Sequence, residues 1–161
     1  MSLRSSELRL RPPSQRPLQY RSINHSICNY RKLMRIFKTK TLARFTRQNG
    51  IPDSSLVSAV ERAQRGLMDA DLGGRIIKQR VARPGEGKRG GFRLIVGFGS
   101  HRSVFLFGFA KNERENISDA ELVTLRQIAG SFLDASDEKI ERTLEDGTLI
   151  EVQHGSESKK G

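Results

Sequence analysis

Three segments in the middle of the chain leave little choice of fold. Arg75–Ala82, Phe92–Phe98 and Ser103–Lys111 read as three strands, in which the side-chain period is two. The links between them are short, a loop at 83–91 and a turn at 99–102. Strands joined so closely pair as an antiparallel meander, because a parallel crossover needs a dozen or more residues, usually a helix.

The flanks carry helical signals. Arg35–Lys38, with Ile36 and Phe37, reads as a short first strand, and Thr41–Gln48 as a short helix stopped by Asn49 and Gly50. A second helix follows Pro52, with Asp53 expected as its N-cap. Leu56, Val60, Ala63 and Leu67 recur on one face of it, and Gly66 lies near its end. Asp71–Gly74 reads as a turn. Beyond the strands, Ser118 and Glu121 form a capping box, and Leu122, Leu125, Ala129 and Phe132 continue an amphipathic helix. Ser136 opens a further helix to about Leu144, and Thr148–Val152 is a candidate final strand. The order β-α-α-β-β-β-α-α defines an α+β domain over residues 34–152, with helices packed on one face of a small antiparallel meander sheet.

Residues 1–33 have no amphipathic period, are rich in Arg and Ser, and contain Pro12, Pro13 and Pro17. We read them as a disordered basic extension. The composition is that of an organellar transit peptide, or of sequence translated ahead of a start at Met34, where the regular pattern begins; the second reading is preferred. Residues 153–161 read as a disordered tail. Cys28 is alone and the three histidines are scattered, so neither a disulfide nor a metal site is expected, no cofactor is implied, and a reducing, cytoplasmic setting is the expectation. No apolar run approaches the roughly 20 residues that span a bilayer.

The formal charge of +11 points to a polyanionic partner, and its distribution sharpens the point. Residues 1–33 hold seven basic residues against one acid, residues 34–116 seventeen against seven, and residues 117–152 three against nine. A basic middle followed by an acidic end suggests two separate surfaces.

Within the strands, Lys78 and Arg80 are two apart and share one face, at about 7 Å spacing. Arg93 lies on the strand face opposite Phe92, Leu94, Val96 and Phe98, which read as the core face. Phe105, Phe107 and Phe109 alternate along the third strand, and Lys111 and Arg114 come where it ends. An ordinary solvated face mixes signs, whereas these five side chains are all cations. Like charges on adjacent strands repel until a polyanion relieves them. Gly85–Gly90 matches GxGxxG, but a strand follows it rather than a helix, so it is a hairpin loop and no dinucleotide site. Its Arg83, Lys88 and Arg89 are candidate contacts to RNA phosphates.

The runs Ile76–Arg80, Gly90–Val96 and Phe107–Arg114 resemble the three central strands of the RelE/ParE toxin superfamily. Asp71–Gly74 and Ile117–Leu122 are similar to its phage-derived RelE-like branch. The resemblance implies a toxin of a type II toxin–antitoxin system, a ribosome-dependent endoribonuclease that cuts mRNA and inhibits translation, with a cognate antitoxin as partner. It carries catalytic roles onto Lys78, Arg80 and Arg93. Asn112 stands where the family has an arginine, which leaves Lys111 and Arg114 as candidates, and Ser118 stands where it has a base-stacking tyrosine. Cleavage by the RNA's own 2′-hydroxyl needs a base, charge stabilisation and an acid. A lysine crowded by cations gives up its proton more readily, which makes Lys78 the candidate base, with Arg93 and Arg80 on the phosphate. A ParE-like gyrase poison and a non-catalytic nucleic-acid-binding regulator of phage type remain the alternatives.

Overall fold

The computed structural model describes residues 34–85, 90–114 and 116–153. The expected extension, the tail beyond Gln153, and Lys88 and Arg89 lie outside them. The chain forms β1 (Arg35–Thr39), α1 (Lys40–Gln48), α2 (Asp53–Gln64), β2 (Ala70–Asp71), β3 (Ile76–Val81), β4 (Phe92–Phe98), β5 (Arg102–Ala110), α3 (Asp119–Leu133), α4 (Asp137–Glu145) and β6 (Leu149–Glu151). The strands make one sheet in the order β2-β3-β4-β5-β1-β6. β3, β4 and β5 are the expected meander, and β2 and β6 add antiparallel edges. β1 lies parallel to β5, a pairing no local pattern encodes.

The α+β class and the mainly antiparallel sheet are as the sequence implies, but the helices lie on both faces. On one face, Gln79 donates to Ala59 O of α2 at 2.7 Å, and Phe45 of α1 meets the ring of Phe92 edge-on at 5.5 Å between centroids. On the other, Ala129 of α3 sits against Gly97, and Ile140 of α4 joins a buried cluster with Phe37, Ile76, Ile95, Val104 and Leu149. The physical reason is in β4, where Ile95 is as fully buried as Leu94 beside it. Strands apolar on both sides must be covered on both. Each fully buried Phe or Ile contributes about 1.5–3 kcal/mol of transfer free energy.

Three local details depart from expectation. Pro52 is the N-cap of α2 and Asp53 its first residue, and Asp53 accepts from Lys38 Nζ at 2.7 Å instead of capping. α2 ends at Gln64, so Leu56, Val60 and Ala63 are buried with Ala59 while Leu67, past Gly66 at φ +78°, is 60% exposed. A bulge between Ile95 and Val96 shifts the register: Ile95 pairs with Phe107 but Val96 with Phe105. Phe105 therefore faces α1 and α2, and Phe107 and Phe109 face α3, instead of all three sharing one side.

The tight turn at Asp71–Gly74 has a steric cause. Gly73 and Gly74 take φ of +73° and +61°, and a Cβ on Gly74 would stand 2.8 Å from Arg126 Cδ. Arg126 lies across the turn and bonds to Leu72 O and Gly73 O, which locks α3 to the sheet. Elsewhere Gly108 makes room for α1, since a Cβ there would stand 2.7 Å from the Phe45 ring and 2.9 Å from Leu94 Cδ2. Gly108→Ala is expected to destabilise the protein by about 1–3 kcal/mol through overpacking, read as a lower urea midpoint with an unchanged slope.

Candidate functional site

β3 and β4 bring the predicted cations together. Arg80 pairs directly with Arg93, and Lys78 with Ile95, so three cationic side chains stand on one face within a two-strand span. This is the face that carries α3, but α3 meets it at the opposite end, where Gly97 pairs with Ile76 under Ala129. The row thus begins where the helical cover is left behind. Its face is also half core: Ile76 and Ile95 are buried in line with the half-buried Lys78 and Arg80. Next to Ile95 on β5, Phe107 borders an apolar recess of about 370 Å³ with Ile117, Ala120, Glu121, Thr124 and Leu125.

The other candidates are distributed differently. Lys111 is exposed in the turn after β5, two residues beyond Phe109, which pairs with Arg93. Arg114 is committed elsewhere: its Nη2 bonds to Glu121 and its Nε donates to Asn116 O at 2.8 Å. Glu121 is the carboxylate of the Ser118 capping box, as expected, so Arg114 braces the start of α3. Arg83 packs over Phe92 at 5.2 Å from the ring centroid, and Phe92 belongs to the opposite face, so Arg83 is separated from the row.

The arginines of this domain sort by the company they keep. Arg35 bonds to Glu151 and Glu141, Arg75 to both oxygens of Asp134, and Arg102 to Asp137 and to the carbonyls of Phe132 and Ala135. With Arg114 and Glu121, four arginines are matched by acids from residues 117–152. The acidic segment, expected as a separate surface, supplies intramolecular counter-ions to the sheet. Hydrogen bonding to Arg75 holds the Asp134 carboxyl below its ordinary value.

Two residues of the site carry no sequence signal. Asp69, just before β2, forms an ion pair with Arg93, with Oδ2 3.2 Å from Nε. Gln79 is 2% exposed and fixes the loop before β2, donating to Leu67 O and accepting from Asp69 N–H. Arg93 Nη1 is buried and meets no acceptor among the described residues. An unsatisfied buried donor costs about 1–3 kcal/mol, more when charged. Gln79 stands on β3 within the Ile76–Arg80 run, but no pattern there marks it as an anchor, and the two-residue strand that brings Asp69 beside β3 is too short to show a period.

The fold is a small α+β domain with a row of cations on strands β3 and β4. Residues 34–152 match the family described as RelE toxin of the RelE/RelB toxin–antitoxin system, and the chain belongs to that family. It is a toxin of a toxin–antitoxin pair, and an antitoxin is its implied partner. Among individual curated proteins, none matches the sequence. No helix among the described residues is long and apolar enough to cross a membrane.

The brace at the start of α3 makes a pH prediction. Hydrogen bonding to Arg114, then to Ser118, holds the Glu121 carboxyl at about 2 against an ordinary 4.5. A depressed carboxyl stabilises the fold above its unfolded value and loses that contribution as pH falls from about 4.5 through about 2. Glu121→Gln is expected to lower Tm at pH 7 and to flatten the fall of Tm across that window, measured by circular dichroism melts.

Proposed function

We propose that this toxin is a ribosome-dependent mRNA endoribonuclease that works without a metal, using Lys78, Arg80, Arg93 and Lys111. The observation that carries the reading is the placement of Arg80 opposite Arg93 with Lys78 two residues along, on one face of the sheet. Three like charges in one span are unfavourable in isolation and become favourable against a phosphodiester.

In this reading the 2′-hydroxyl oxygen attacks the adjacent phosphorus and passes its proton to the Lys78 amine. Arg93 and Arg80 hold the non-bridging oxygens as charge builds, since a guanidinium stays ionised and forks onto phosphate. The bond to the 5′-oxygen breaks, and that oxygen takes a proton from the Lys111 ammonium. A 2′,3′-cyclic phosphate and a 5′-hydroxyl result. Arg114, engaged with Glu121, orients the start of α3 and is not the proton donor in this reading. The ribosome would supply alignment of the mRNA, worth several kcal/mol through orientation alone.

The test is cleavage of mRNA on purified ribosomes. Lys78→Ala is expected to slow it by about 10²–10⁴-fold, the usual value of a general base. Arg93→Ala is expected to slow it by about 10²–10³-fold, the value of one charge-stabilising donor. Wild-type rates in both variants would sink the proposal. Expression of the protein should deplete mRNA; induction of DNA damage instead would favour a gyrase poison, and salt-dependent RNA binding with no cleavage would favour a regulator.

A further inference from the structure

Arg93 and Arg102 offer a comparison within one fold. Each side chain is 12% exposed, and each pairs with a single aspartate. Arg102 also donates from Nη1, to the carbonyls of Phe132 at 3.0 Å and Ala135 at 2.6 Å. Arg93 Nη1 meets no acceptor among the described residues, although it is buried. Arg102 is a finished structural contact. Arg93 is held by Asp69 in a position that leaves donor capacity over.

The holder is itself rigid. Asp69 N–H donates to Lys78 O at 3.1 Å and to Gln79 Oε1 at 3.2 Å, and Gln79 is anchored on Ala59 O and Leu67 O. This fixes the main chain carrying the carboxylate at the edge of β3. There the carboxylate also offsets the repulsion between Arg93 and Arg80, which face each other across the strands. A carboxylate and a phosphate ask the same geometry of a guanidinium.

We infer that Asp69 is a latch on Arg93: its carboxylate occupies the guanidinium in the RNA-free toxin, and an RNA phosphate takes over that guanidinium on binding. The inference rests on the RNA reading above and assigns Asp69 as a positioning residue that sets the affinity of the same site. Phosphate would win the exchange because its several oxygens can fork onto the guanidinium edge that Nε shares with Nη2, and because Lys78 and Arg80 stand beside it. The latch thereby subtracts from RNA affinity what it adds to the stability of the empty site.

The experiment measures the Kd of the full-length protein for a fluorescein-labelled RNA dodecamer at fixed salt. Asp69→Asn is expected to bind about 5–10-fold more tightly than the wild type, within the usual range of coupling between two ligands of one group. The gain should fall below about 2-fold in an Arg93→Ala background, since coupling is what a double-mutant cycle isolates. An equal gain in both backgrounds would mean that Asp69 acts only as a nearby negative charge, and it overturns the latch. No gain, or weaker binding, overturns it too. Asp69→Ser serves as a second variant, with thermal melts to confirm folding. Lys78→Ala separates the two readings: unchanged RNA affinity there defeats RNA binding by the row and the latch with it. Weaker binding in Lys78→Ala, with no gain in Asp69→Asn, defeats the latch alone.

Discussion

The middle of the sheet is covered by helices on both sides, and that double covering decides where charge can stand. β4 buries Phe92, Leu94 and Val96 toward α1 and α2, and Ile95 toward α3 and α4. At the end where α3 presses closest, Gly97 leaves a built Cβ only 3.0 Å from Ala129, so no larger side chain fits without movement. A cation could be placed on that face only toward the other end. Arg93 opens β4, Arg80 nearly closes β3, and their pairing falls there. The position of the cation row follows from the requirements of the core.

The basic character of the domain resolves into two populations. Arg35, Arg75, Arg102 and Arg114 are bound to acids from the C-terminal segment and hold β1, the β2–β3 turn, β5 and the β5–α3 turn to α4, β6 and the two ends of α3. Exposed pairs of this kind contribute little each, typically under 1 kcal/mol, though Arg102 with its two carbonyls is better placed. Their more general effect is to use up cations that would otherwise spread the positive field over the surface. Among the described residues, Lys78 and Lys111 pair with no acid of that segment, so net charge says little about where the candidate site residues stand.

Most of the fold was legible because its signals are local. The meander strands, the Ser118 capping box and the helix opened by Ser136 each rest on side chains within a few residues of one another. What stayed hidden depends on distant pairings. The parallel alignment of β1 with β5 joins Arg35 to Arg102, and no period records it. Burial of both faces is masked in the sequence because Arg93 and the buried Ile95 share a side. For the site, the Lys78, Arg80 and Arg93 face was readable from spacing and strand order. Arg114 looked equivalent by sign, but its partner Glu121 is set by the turn between β5 and α3. Asp69 was invisible because it reaches β4 across β3.

The chain begins and ends its sheet at one place. β1 is enclosed between β5 and β6, so the first strand of the domain has no strand neighbour until Arg102–Ala110 has been made, and its second neighbour is the last strand of all. The entropy of closing these long loops is paid before the contacts that reward it can form, which makes such pairings late and slow. The cation row, by contrast, is built on the local β3–β4 hairpin. During synthesis the cation row is therefore specified early, while the sheet that must hold it rigid is completed only when residues 149–151 have left the ribosome.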